Sequence, residues 1–137
     1  MRLVLDTNVY IAAFLNKGLA SDILVLSQRG KVKLFVSHPI IKELEQKLQE
    51  KFGIDQKTCG EYVDLILQVA TLVKPVKKIS VIKADPADNV VLECATKAKA
   101  GLIISMDKHL LKIKSYKNIG IVHPKTLTWI IPNLFIK

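Results

Sequence analysis

Short, wholly apolar runs alternate along this chain with longer stretches in which apolar residues recur every three or four positions. Residues 2–5 read as a buried strand, and the stretch opened by Thr7 and Asn8 carries Val9, Ile11, Ala12 and Leu15 at helical spacing. Ser21 is placed to cap a second helix through Leu24 and Leu26, which Gly30 would end as its left-handed C-terminal residue. Residues 33–36 read as the second strand. Ser37 or His38 then precedes Pro39, a favoured first helical residue, and Ile40, Ile41, Leu44, Leu48 and Phe52 mark an amphipathic helix that stops at Gly53.

Asp55 can cap a further helix with the stripe Val63, Ile66, Leu67 and Ala70. Residues 74–82, broken by Pro75, are expected to hold a short strand or an extended connection. Asp85-Pro86 opens the next helix, with Val90, Val91, Cys94, Ala95 and Ala98 on one side and Gly101 closing it. A strand over 102–105, a short helix from Asp107, a strand over 119–122 and a helix after Pro124 complete the pattern. Strands alternating with helices imply an α/β fold with parallel pairing and right-handed crossovers. Neither an internal repeat nor a low-complexity segment interrupts it.

A length of 137 residues fits one domain over 1–137. Apolar runs are too short and interrupted to span a bilayer, and no secretory leader is visible, so the expected location is cytoplasmic, without a membrane partner. Cys59 and Cys94 belong to no CxxC pair, which argues against zinc-ribbon and thioredoxin-type chemistry and for free thiols. The net charge of +9, from 21 Lys and Arg against 12 Asp and Glu, points to a polyanionic partner. Only two of the basic residues, Arg2 and Arg29, are arginines, so a bias towards lysine in composition would account for part of the charge.

Against this basic background, single carboxylates follow apolar runs: Asp6 after residues 2–5 and Asp107 after residues 102–106. In a parallel sheet both would stand at carboxyl ends of strands, where ligands bind in doubly wound folds. Glu43, about one turn into its helix, and Asp88, in the first turn of its own, can face the same edge. Taken singly, each has a plainer role: Asp6 and Asp107 as helix caps, Glu43 as an exposed helix residue and Asp88 as a first-turn acid favoured by the helix dipole. Together they could not remain ionised without cations, since two carboxylates about 4 Å apart repel by roughly 4 kcal/mol at an effective dielectric of 20. Mg²⁺ or Mn²⁺, one ion or two, would supply the charge, and two such ions can activate water and stabilise the leaving oxygen of a phosphodiester. Thr7, Asn8, Ser37 and Ser105 are short polar residues suited to supporting that shell. His109 could contact phosphate, although a lone solvent-facing histidine is commoner, and Asp85 is a further candidate for the site.

At Leu5-Asp6-Thr7-Asn8-Val9 the chain resembles the PIN-domain family of metal-dependent ribonucleases, and the resemblance runs over nearly its whole length. The family opens with a strand ending in Asp, followed by Thr or Ser and then Asn. Its second acid is a Glu in a setting like Ser37-His38-Pro39-Ile40-Ile41-Lys42-Glu43-Leu44. Its third falls in a segment like Ala84-Asp85-Pro86-Ala87-Asp88-Asn89, with Asp88 the better match, and its fourth corresponds to Ser105-Met106-Asp107. The resemblance implies a three-layer α/β/α domain with a central parallel sheet of about four to five strands. It also implies Mg²⁺ or Mn²⁺ held by Asp6, Glu43, Asp88 and Asp107, with cleavage of single-stranded RNA. Relatives often carry further acids where this chain has Ala87 and His109. Many members are VapC-like toxins, usually homodimeric and inhibited by a small antitoxin protein, and others process RNA. A weakly catalytic RNA-binding module is the competing reading. A phosphatase with an aspartate nucleophile would want a second acid at Asn8, and no Gly-rich nucleotide-binding sequence follows the first strand.

Overall fold

Arg2–Leu5 forms strand β1, and Leu3, Val4 and Leu5 are all fully buried. Successive strand residues point to opposite faces, so both faces of β1 must be covered. The computed structural model describes residues 1–16, 18–76, 78 and 86–135. After β1 come helices α1 (Thr7–Leu15) and α2 (Leu19–Gln28), strand β2 (Lys33–Ser37), helices α3 (His38–Glu50) and α4 (Gln56–Val69), and strand β3 (Ala70–Val73). Helix α5 (Pro86–Ala98), strand β4 (Leu102–Ile104), helix α6 (Lys108–Ile113), strands β5 (Ser115–Tyr116) and β6 (Ile119–Val122) and helix α7 (Pro124–Ile130) follow, and a 3-10 turn spans Pro132–Phe135.

The six strands form one sheet in the order β3-β2-β1-β4-β6-β5, parallel throughout except for the β5–β6 pair at one edge. Helices flank it, in keeping with the expected α/β architecture. The sheet is larger than the four to five strands expected, because β5 is a two-residue strand too short to show alternation. A two-residue hairpin joins it to β6 through Lys117 and Asn118, both left-handed (φ 48° and 67°), as a primed turn requires. Among the described residues, no single helix is long and apolar enough to cross a membrane.

Several boundaries differ from those the sequence suggests. The third strand lies at 70–73, directly after α4, and not in 74–82: residues 74–76 and 78 carry no strand, and 77 and 79–82 lie outside the described residues. Ala70, read above as part of a helical stripe, turns extended (φ −125°, ψ 151°) and starts β3, while Leu67 faces outwards. Helix α2 begins at Leu19 behind Gly18, without a side-chain cap, so Ser21 is not its N-cap. Ser37 caps α3, Pro39 is that helix's second residue behind His38, and Phe52 lies beyond its end, half-exposed.

Two helix ends show the same geometry built from different residues. At the end of α2, Gly30 (φ 72°) donates its N–H to the Ser27 carbonyl and Lys31 donates to that of Leu26, at 3.0 and 2.9 Å. At the end of α5, Lys99 donates to Thr96 and Ala100 to Ala95, at 3.2 and 3.0 Å, and the left-handed residue is Lys99 (φ 54°). Gly101, expected to close this helix, already donates to the Arg2 carbonyl at 2.9 Å, as part of the approach to β4. A side chain in the left-handed region costs about 1 kcal/mol, which glycine avoids at some expense in unfolded-chain entropy. Lys99→Gly should therefore raise stability by about 0.5 kcal/mol in urea denaturation. An unchanged or lowered midpoint would mean that Lys99 carries no strain.

Candidate functional site

The β1–β4 pairing sets the geometry of the site. Leu5 and Ile104 are register partners, so the residues that follow them leave the sheet at the same level. Asp6 continues the ladder, its N–H donating to the Ile104 carbonyl at 3.0 Å, and then caps α1 by accepting from the Val9 N–H on Oδ1 at 3.0 Å. The Ser105 hydroxyl donates to Asp6 Oδ2, and the Asp107 N–H donates to Ser105 Oγ at 2.9 Å. A single buried hydroxyl thus ties the acid of β1 to the loop that presents the acid after β4. Asp107 in turn caps α6, its Oδ1 accepting from the N–H groups of His109 and Leu110 at 2.7 and 3.2 Å.

Glu43 arrives from α3. Burial of Ile40, Ile41, Leu44 and Leu48 fixes the rotation of that helix, and the Ser37 hydroxyl accepts from the Ile40 N–H at its start. Asp88 is the third residue of α5 and is 8% exposed. Asp6, Thr7, Asn8, Glu43, Asp88 and Asp107 line one small cleft, completed by Val91 and Lys47. All four expected acids therefore meet. Ser105 sits behind the cleft, fully buried, and Ser37 is not among its lining residues. The Ser37 hydroxyl lies instead beside the Cys94 thiol, which burial pushes up to about 12. Asp85 lies outside the described residues.

Lys47 was not singled out from the sequence. Its ammonium stands 3.1 Å from Glu43 Oε1, one helical turn away, so the cleft carries a cation of its own. The signal was the Glu-to-Lys spacing of four on an amphipathic helix, which in most helices marks only a solvated pair. His109 Nδ1 lies 3.7 Å from Asp107 Oδ1 and 4.0 Å from Asp88 Oδ2. Asp88, Asp107 and His109 each offer one donor atom within 4.8 Å of the others. Such a mostly carboxylate set, with Asp6 and Glu43 on the same cleft, suits a hard divalent cation.

Burial drives the Asp6 carboxyl above its ordinary pKa, against the hydrogen bonds from Ser105, Val9 and Met106 that favour the anion, and the Asp107 charge adds to the rise. A raised folded-state pKa means that Asp6 favours folding when protonated, and that this contribution is lost as pH climbs through the folded-state value. Metal-free protein should thus lose stability as pH rises from the ordinary carboxylate range towards neutrality. Asp6→Asn, whose side-chain oxygen can still cap α1, should flatten that part of the profile and melt no lower than wild type at neutral pH in EDTA. A large fall in its metal-free melting temperature would instead mean that the ionised Asp6 carboxylate, through its hydrogen bonds, stabilises the fold.

The family model described as a PIN domain matches residues 2–109, which span all four acids. An uncharacterized protein of Methanocaldococcus jannaschii is 30% identical over 146 residues, covering 100% of this chain and 90% of that protein. A solved chain of VapBC2 from Rickettsia felis, bound to a DNA fragment from their promoter, superposes with a TM-score of 0.63 at 14% identity, over 88% of this chain and 97% of that one. At that identity the structural match speaks for the fold alone. With the family model covering most of the sequence and the archaeal relative covering all of it, the chain belongs to the PIN-domain family.

Proposed function

We propose that this protein is a Mg²⁺- or Mn²⁺-dependent endoribonuclease acting on single-stranded RNA. The observation that carries the proposal is the meeting of Asp6, Glu43, Asp88 and Asp107 in one cleft at the carboxyl edge of the sheet. In this reading those four residues are both metal ligands and the catalytic set. A bound divalent ion would supply charge for the developing oxyanion and polarise the attacking water. The chain's own groups do the rest. Ser105 holds Asp6 and the Asp107 backbone at fixed spacing, and Asn8 and Thr7, on the cleft wall, offer hydrogen bonds to substrate or shell water. The Lys47 ammonium, released from Glu43, would meet a phosphate oxygen. Water adds to phosphorus as the P–O bond to the leaving strand breaks, leaving a phosphate monoester on one strand end and a hydroxyl on the other.

The chain's +9 charge supports a polyanionic substrate. We propose a cytoplasmic setting, supported by free, buried thiols at Cys59 and Cys94. We also propose a role as the toxin of a toxin-antitoxin pair, with a small antitoxin protein and a second copy of the chain as partners. Its support is the family membership and a fold shared with a chain of VapBC2. A weakly catalytic RNA-binding module is the second reading, favoured by the net charge of +9 but not by the intact set of four acids.

The test is cleavage of a mixed single-stranded RNA pool in Mn²⁺, Mg²⁺ or EDTA, comparing wild type with Asp6→Asn and Asp107→Asn. Cutting should require the metal and fall at least about 100-fold in both variants, since each removes a ligand charge. Salt-sensitive RNA binding by wild type without any cutting would move the assignment to the binding module.

A further inference from the structure

We infer that His109 is a metal ligand in this chain, and that its imidazole makes the site prefer Mn²⁺, or a similar first-row ion that accepts nitrogen, over Mg²⁺. The inference rests on the proposed carboxylate metal site and adds a donor of a different chemical class. His109 is the second residue of α6, just outside the cleft lining, and its backbone N–H is bonded to the Asp107 cap at 2.7 Å, which fixes its backbone beside Asp107. From there Nδ1 reaches to 3.7 Å from Asp107 Oδ1 and 4.0 Å from Asp88 Oδ2.

Neither separation is a hydrogen bond. Both lie within the span that two donors of one shared ion can cover after adjustment. Around an octahedral ion with ligands at about 2.1 Å, neighbouring donors lie about 3.0 Å apart and opposite donors about 4.2 Å apart. The two measured distances fall between these limits, so an ion can be received by small side-chain rotations without moving α5 or α6. The imidazole is partly exposed, at 44%, so those rotations meet little packing resistance.

Imidazole nitrogen is a poor partner for Mg²⁺, which prefers oxygen and retains water, whereas first-row transition ions accept it readily. The carboxylates of the cleft together with one imidazole nitrogen thus discriminate between ions in a way that an all-carboxylate cleft does not. His38 and His123, the chain's other histidines, do not compete for this role. His123 Nδ1 accepts from the Lys125 N–H as the cap of α7, and His38 lines a separate pocket with Val73 and Lys74.

Pulsed electron paramagnetic resonance of Mn²⁺-loaded, RNA-free protein reads the ligand directly. Wild type should show imidazole ¹⁴N coupling to the bound Mn²⁺. His109→Asp, which keeps a donor in place but makes the set all oxygen, should lose that coupling while still binding Mn²⁺. In calorimetric titrations the same variant should lower the preference for Mn²⁺ over Mg²⁺ by about tenfold. Bound Mn²⁺ without ¹⁴N coupling, or coupling that persists in His109→Asp, overturns the inference and leaves the carboxylate site standing. Failure of wild type to bind Mn²⁺ at all overturns both.

Discussion

The hydrogen bond from the Ser105 hydroxyl to Asp6 is the contact on which the rest of the site depends. It is possible only because β1 and β4 are paired in parallel register, with Leu5 beside Ile104, so that both strands end together. The same Ser105 oxygen accepts from the Asp107 backbone, and Asp107 then starts α6. One buried hydroxyl thereby fixes two acids from strands about a hundred residues apart in sequence. An apolar residue at position 105 would leave the Asp6 carboxylate buried with one fewer donor, a loss typically worth 1–3 kcal/mol.

The arrangement concentrates negative charge at the carboxyl edge of a buried sheet. Asp6 is 4% exposed and directly follows β1, whose last three residues are fully buried, which makes its ionised form costly. Glu43 reduces the imbalance by pairing with Lys47. An ammonium on a flexible stem can leave when a divalent ion enters, whereas an arginine fork would hold the carboxylate more tightly. The metal-free protein is in this sense a strained state, held by packing of α1, α3 and α5 against the sheet.

Much of this was legible in the sequence, for physical reasons. Strand β1 and its apolar run coincide because a doubly covered strand must be apolar, and β6 coincides with its run as well, with Ile119 and Ile121 buried and Gly120 and Val122 half-buried. The cleft residues Asp6, Asp88 and Asp107 could be placed because each follows an apolar run or opens a helix. What escaped were features with no periodic signature. Strand β5 is two residues long, and β3 begins where the stripe of α4 would continue, since Ala70 suits either state. Lys99 occupies a left-handed position that composition assigns to Gly101. Lys47 looks like an ordinary solvated partner of Glu43 until the fold sets that face of α3 against the cleft.

The central claim is that the carboxyl edge of the sheet is a cation site that lacks its counter-charge in the metal-free chain. The most direct measurement is the thermal stability of wild type at neutral pH as Mn²⁺ is raised from EDTA conditions. The expected result is a rise that follows ligand linkage, about 2.7 kcal/mol at a hundredfold excess over Kd, and is much reduced in Asp107→Asn. A melting temperature indifferent to Mn²⁺ would contradict it, and the four acids would then be no more than helix caps and surface charges of their helices.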